Sequence, residues 1–223
     1  MQTVSMNVDI VMCIDCTGSM ASTLDQVKAN ALKFYPDFLA ELSKIGREVD
    51  QVRVKVIAFR DFFSDGDLAL LESDFIPLNT NGSEFEDFVK NLSPKGGGDE
   101  PESSLEALAL AMKSKWNKEG EKRREVIIMY TDSSAIPLEK DPKPAGYPSD
   151  LPKNLDEITD LWEGQTSPMT DSAKRLLIYA PNAYPWAEIG SAWTNTIHHG
   201  SKAGGGLAEH DYSTIMYSLA KTI

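Results

Sequence analysis

The stretch Val8-Asp9-Ile10-Val11-Met12-Cys13-Ile14-Asp15-Cys16-Thr17-Gly18-Ser19-Met20 decides the fold. Positions 8 to 14 are apolar almost throughout, the pattern of a central strand in a parallel sheet covered on both faces. Asp15 ends the run, and an unpaired carboxylate there would be costly to bury. The chain then turns through Thr17-Gly18-Ser19 into an amphipathic segment, with Gly18 permitting a tight turn. Asp15, Thr17 and Ser19 are therefore expected to set three oxygens around one point at the carboxyl end of a strand, where open α/β sheets bind their ligands. Hard oxygen donors of this kind suit Mg2+, Mn2+ or Ca2+ rather than zinc.

Beyond this turn, Leu24, Val27, Ala31, Phe34, Phe38, Leu42 and Ile45 repeat at helical spacing, which predicts one long helix or two abutting ones over residues 19 to about 45. Pro36 removes a backbone donor and should kink it near residues 32 to 36. Val52 to Phe59 alternates as a strand, and Asp74-Phe75-Ile76-Pro77-Leu78 reads as a short edge strand because Pro77 cannot donate to a ladder. Ser83-Glu84-Phe85-Glu86 has the form of a capping box ahead of a short helix. The run Gly96-Gly97-Gly98-Asp99-Glu100-Pro101-Glu102 precedes another helix, with Pro101 suited to its first turn. Leu105, Leu108, Ala109, Met112 and Trp116 supply that helix's stripe.

Glu125 to Tyr130 repeats the pattern of the first strand and ends in Thr131-Asp132. The basic run Lys122-Arg123-Arg124 falls at the other end of the sheet from Asp15 and reads as a solvated face. Residues 133–171 hold six prolines and little periodicity apart from Leu155 to Trp162, so they form an irregular insertion with one short helix. Arg175 to Ala180 resumes the sheet, Thr194 to His198 is a last strand, and Tyr212, Ile215, Met216, Leu219 and Ile223 stripe a closing helix that His210-Asp211 starts. The alternation predicts a doubly wound, mostly parallel α/β sheet with an antiparallel edge strand. Asp15, Asp61, Asp99 and Asp132 then lie near one rim.

With 223 residues and no dividing linker, residues 1–223 are expected to form one domain. The formal charge of −12 argues against nucleic acid and anionic membranes as partners. The N-terminal residues have neither a basic region nor a long apolar run, so a cytoplasmic location is the default expectation. Cys13 and Cys16 have the C-x-x-C spacing of a redox pair, but one stands inside a strand and the other in a turn, where two unpaired thiols are expected instead.

These residues resemble the von Willebrand factor type A domain, whose metal-ion-dependent adhesion site joins an Asp-x-Ser-x-Ser turn to a Thr and an Asp from two later loops. Asp15-Cys16-Thr17-Gly18-Ser19 is similar to the first turn, Tyr130-Thr131-Asp132 to the third loop, and residues 96–102 stand where the second loop belongs. Phe59-Arg60-Asp61 and Gly96 to Glu102 look most like the type A domains beside alpha-kinases and in stand-alone bacterial relatives. The resemblance implies a metal held by Asp15, Thr17, Ser19 and Asp132, with Asp99 where many members have Thr. With three carboxylates around a divalent ion the formal sum is −1, which leaves less attraction for a partner's carboxylate and fits a structural clamp. Asp99 or Glu100 has the alternative role of capping the helix after Pro101, with Glu102 in its first turn. Asp61 either orients a metal-bound water or pairs with Arg60 or a loop amide.

The expected function is a metal-dependent protein-interaction module, with a protein partner gripped by the surrounding loops. No acid, base or nucleophile beyond the metal ligands argues for catalysis. A Mg2+-dependent phosphohydrolase is the alternative, although Thr17 stands where an aspartyl-nucleophile phosphatase needs its second acid. A nucleotide site at Thr17-Gly18-Ser19 or Gly204-Gly205-Gly206 lacks the G-x-G-x-x-G pattern and the P-loop lysine.

Overall fold

A computed structural model describes residues 6–98, 100–202 and 211–223. Asp99, Gly204-Gly205-Gly206 and His210 lie outside the described residues.

In chain order the elements are β1 (Met6–Asp15), α1 (Ala21–Lys44), β2 (Gln51–Phe59), α2 (Phe62–Asp65), β3 (Leu70–Glu72), β4 (Ile76–Pro77), α3 (Leu78–Asn91) and α4 (Ser104–Met112). They continue with β5 (Lys122–Tyr130), α5 (Leu155–Glu163), β6 (Lys174–Pro181), α6 (Trp186–Ala192), β7 (Thr196–Ser201) and α7 (Tyr212–Thr222). The sheet runs β3-β2-β1-β5-β6-β7, with β4 also pairing to β2. β1, β2, β5, β6 and β7 are parallel, whereas β3 and β4 run antiparallel at the β2 edge. Pro77 indeed sits at that edge, in a strand of two residues.

Both faces of the sheet are covered, which is why the β1 run is apolar without alternation. On one face Val8, Ile10, Met12 and Ile14 pack against Leu24, Phe34 and Phe38 of α1 and Ile215, Met216 and Leu219 of α7. On the other, Val11 and Cys13 pack with Leu105, Leu108 and Met112 of α4, Ile158 and Trp162 of α5, and Trp186 of α6. Burial of this kind contributes roughly 1.5–3 kcal/mol per large apolar side chain.

Residues Ala21 to Lys44 form one helix with Pro36 inside it, one of the two expected forms. Several other local expectations need correction. Ser83 caps nothing: α3 begins at Leu78, its one non-helical residue is Asn81, and Glu86 pairs instead with Lys90 on the same helix. Pro101 lies ahead of α4 rather than in its first turn, and Trp116 lies beyond the helix, where its indole donates 2.9 Å to Met112 O. The last strand is Thr196–Ser201, and α6 before it was not foreseen. Asp211 does start α7, accepting 2.8 Å from Thr214 N.

The irregular segment between β5 and β6 is pinned by two buried charges. Glu125 accepts from Thr170 N at 2.7 Å, Thr170 Oγ1 at 3.1 Å and Lys118 Nζ at 2.8 Å. Lys174, 1% exposed, donates to Asp171 Oδ1 at 2.6 Å and to Trp162 O. Each charge is offset by donors or acceptors in place, as a buried ion requires.

Candidate functional site

β1 delivers Asp15, fully buried, to the carboxyl edge between β2 and β5. Asp15 Oδ1 accepts from Thr17 N at 2.9 Å and Thr17 Oγ1 at 2.7 Å, and Oδ2 accepts from Thr131 Oγ1 at 2.7 Å. Ser19 Oγ donates to Asp132 Oδ1 at 3.1 Å and lies 3.2 Å from Thr17 Oγ1. Asp15, Thr17, Ser19 and Asp132 are thus brought together from two loops, as expected from the sequence. Each hydroxyl has one proton. With those of Thr17 and Ser19 directed at carboxylates, their oxygens turn lone pairs towards each other, an arrangement that a cation relieves.

The glycine-rich loop closes the third side. Gly18 N donates to Gly96 O at 3.2 Å, and Lys95 N to Cys16 O at 3.0 Å, lacing the loop onto the first turn. Gly97 has φ +95, and a Cβ there would stand 2.6 Å from Thr17 Cγ2 and 2.7 Å from Glu102 Oε1, so only glycine fits. Gly97 N is fixed by Asp65 Oδ2 at 2.8 Å.

This packing brings in a carboxylate that the sequence reading left out of the site. Glu102 is 4% exposed, and its Oε2 has no hydrogen-bond partner among the described residues. Its backbone bridges the third loop, with Glu102 N donating to Ser134 O at 3.1 Å and Ile136 N to Glu102 O at 2.8 Å. Sequence spacing had placed Glu102 as an acidic residue in a first helical turn. Instead α4 starts at Ser104 and Glu102 precedes it, facing Thr17. The signal available beforehand was the glycine at 97, which lets two side chains meet across the backbone.

Asp61 takes the turn-capping role, accepting from Phe63 N at 2.8 Å and Ser64 Oγ at 2.7 Å. Arg60 does not pair with it; its guanidinium binds the carbonyls of Cys16 at 3.2 Å and Ser93 at 2.9 Å, tying the first two loops together. His198 and His199 diverge as alternation requires, His198 Nε2 meeting Ala180 O at 3.0 Å and His199 stacking on Tyr179. Cys13 and Cys16 are free and buried, and burial pushes the Cys16 thiol up to about 12.

The carboxylates crowd one another. Burial above all, then the charges of Asp15, Asp61, Asp65 and Asp132, push Glu102 up to about 9. Burial likewise lifts Asp15 to about 6 against the hydrogen bonds of Thr17 and Thr131, and raises Asp132. Such a cluster is unfavourable unless protonated or compensated by positive charge. The donors are hard oxygens, which fit a divalent cation of the Mg2+ type. Asp15, Thr17, Ser19 and Asp132 are the residues that could hold it, with Glu102 across Gly97 from Thr17; among the described residues no three acidic, His or Cys side chains already stand at ligand spacing.

A parallel sheet wrapped by helices, with an Asp-x-Thr-x-Ser turn and a second Asp at its carboxyl edge, defines the von Willebrand factor type A class. The von Willebrand factor type A domain family matches residues 10–134, and the chain belongs to that family. The alpha-protein kinase vwkA of Dictyostelium discoideum is 26% identical over 157 residues, covering 69% of this chain and 23% of that protein. The chain thus spans about a quarter of that relative's length. Among solved structures, the pilus adhesin SpaC of Lactobacillus rhamnosus GG superposes with a TM-score of 0.57 at 14% identity, covering 99% of this chain and 31% of that one. A von Willebrand factor type A protein from Catenulispora acidiphila gives 0.52 at 12% identity, covering 96% and 43%. Likeness at these identities shows the fold. No helix among the described residues is long and apolar enough to cross a membrane.

Proposed function

We propose that this domain is a metal-dependent protein-interaction module, in which Asp15, Thr17, Ser19, Asp132 and Glu102 hold Mg2+ or a similar ion (Mn2+, Ca2+) and the loops around them grip a partner. The observation that carries the reading is the hydrogen-bonded chain Thr131–Asp15–Thr17–Ser19–Asp132, with Glu102, whose Oε2 is unpartnered, buried across Gly97 from Thr17. When bound, the ion supplies charge compensation and a Lewis-acidic anchor. Asp15 orients the two hydroxyls, and Arg60 and Gly97 hold the loops at the spacing the ligands need.

Glu102 bears on what the ion does. With Asp15, Asp132 and Glu102 ionised around a 2+ ion the formal sum is −1, so a partner's carboxylate meets little net attraction. In this reading the ion clamps the three loops, and the partner contacts the clamped loop surface. The two free thiols suit a reducing compartment such as the cytoplasm, the location we propose. The test is recovery of a partner by tagged protein in Mg2+ and again in chelator. A partner lost with chelator and with Asp15→Ala supports the module; one retained under both conditions refutes its metal dependence.

A further inference from the structure

The end of the sheet opposite Asp15 carries a second concentration of charge, of the opposite sign. It lies about 30 Å away, the length of β1 at roughly 3.3 Å per residue. The register that sets Arg175 beside Val126 places Arg124 and Arg175 on the same face, since residues two apart on a strand share one. Arg47, from the turn after α1, reaches the same place, with Lys122 and Lys221 around it. These groups line two adjoining cavities of about 790 and 350 Å3 that share Arg47 and Arg124.

Among the described residues Arg47, Arg124 and Arg175 form no ion pair. Arg124 donates to the carbonyls of Thr222 at 3.2 Å and Arg123 at 3.0 Å, and Arg175 to those of Ser172 at 3.3 Å and Lys174 at 2.6 Å. Glu48 is the one carboxylate side chain on the lining, and it pairs with none of them. Burial, then the Arg175 and Arg47 charges, hold Arg124 below the usual arginine range; burial, then Arg47, does the same for Arg175. In a chain of formal charge −12, Arg47, Lys122, Arg124, Arg175 and Lys221 gather with Glu48 as the one acidic side chain among the described lining residues, an excess of positive charge that an external anion completes.

We propose that this basic pocket binds a small molecule bearing more than one phosphate group. A single carboxylate would leave most of the cationic charge uncompensated, whereas linked phosphates span cavities that share two arginines. Guanidinium forks match phosphate oxygens bidentately. Among the described residues no aromatic side chain lines either cavity to stack a nucleobase; Ser43, Ser172, Asn195 and Thr196 offer hydroxyl and amide donors instead. The volumes are those of ordinary small-molecule sites.

The test is calorimetric titration of the full chain, stripped of divalent ions over chelating resin, with inorganic tripolyphosphate at physiological salt. Saturable binding that Arg47→Gln weakens about tenfold supports the site, the usual scale for losing one charged hydrogen-bonding partner. Arg47 is exposed, so this variant folds; Arg124→Gln, checked by circular dichroism, should weaken binding at least as much. Binding unchanged in both variants, or abolished by salt as chloride abolishes it, overturns the proposal. Phosphatidylcholine vesicles with and without a phosphoinositide, run in parallel, separate the sources. Binding only to the phosphoinositide vesicles, lost in Arg47→Gln, keeps the site and makes the headgroup its source; binding to neither probe overturns it.

Discussion

Gly97 lies so close to Glu102 that a Cβ on the glycine would stand 2.7 Å from Glu102 Oε1. The same carbon would stand 2.6 Å from Thr17 Cγ2, and the backbone there has φ +95. Gly97→Ala should therefore cost about 1–3 kcal/mol in chemical denaturation, through strain and displacement of Glu102 and Thr17 together. A variant as stable as the parent would mean that the second loop is not packed onto the first.

Glu102 makes the metal-free protein sensitive to alkali. Its carboxyl is raised from 4.5 to about 9 in the folded chain, so between those values the folded state holds more protons than the unfolded one. Stability is then fully present below pH 4.5 and is lost as pH rises towards 9, with Asp15, raised from 3.8 to about 6, adding to the early part of the loss. Melting temperature should fall from pH 5 to pH 9 in chelator. Glu102→Gln should flatten the fall, and saturating Mg2+ should remove most of it. A metal-free melting temperature that rises over this range would contradict the crowding of the carboxylates.

Glu125 ties Thr170 and Lys118 to the foot of β5 and is fully buried. Glu125→Ala should cost about 3 kcal/mol, because it leaves Thr170 N without its acceptor and Lys118 without its carboxylate partner, with only the Pro168 carbonyl at 2.8 Å and Thr170 Oγ1 remaining. Limited proteolysis should also find residues 133–171 cut faster in the variant than in the parent. Equal stability and equal cleavage would show that the insertion is held elsewhere.

Cys13 and Cys16 are both inaccessible and their thiols are raised by burial. Ellman's reagent should label neither in the native protein and both in denaturant. Rapid labelling of one thiol under native conditions would reopen the redox reading of the C-x-x-C spacing.

The strands β1 and β5 were legible because each is an apolar run, buried on both faces, that ends at a polar residue, whereas β2 was legible from its alternation and β6 from its apolar run alone. Asp15, Thr17, Ser19 and Asp132 were legible for the same reason, since strand ends mark the rim. Glu102 was not, because its place depends on where α4 starts, and an acidic residue after Pro101 has the local chemistry of a helix start. Nothing local in the sequence marks Lys174 and Glu125 as buried charges, and only the tertiary arrangement shows that Asp171, Thr170 and Lys118 meet them. α6 escaped notice because it is one short segment with Trp186 and Ile189 as its buried residues, too few to show a period. The capping box at Ser83 failed because the break at which the second part of α3 begins falls at Asn81, two residues earlier, where the Asn81 side chain meets Glu84.

The central claim is that Asp15, Thr17, Ser19, Asp132 and Glu102 form one divalent-cation site, and calorimetric titration with Mg2+ tests it most directly. The account predicts one saturable site per chain, lost in Asp15→Ala and weakened about tenfold or more in Glu102→Gln, with circular dichroism unchanged in both. Absence of saturable binding in the parent protein, or the same affinity in Asp15→Ala, would contradict it.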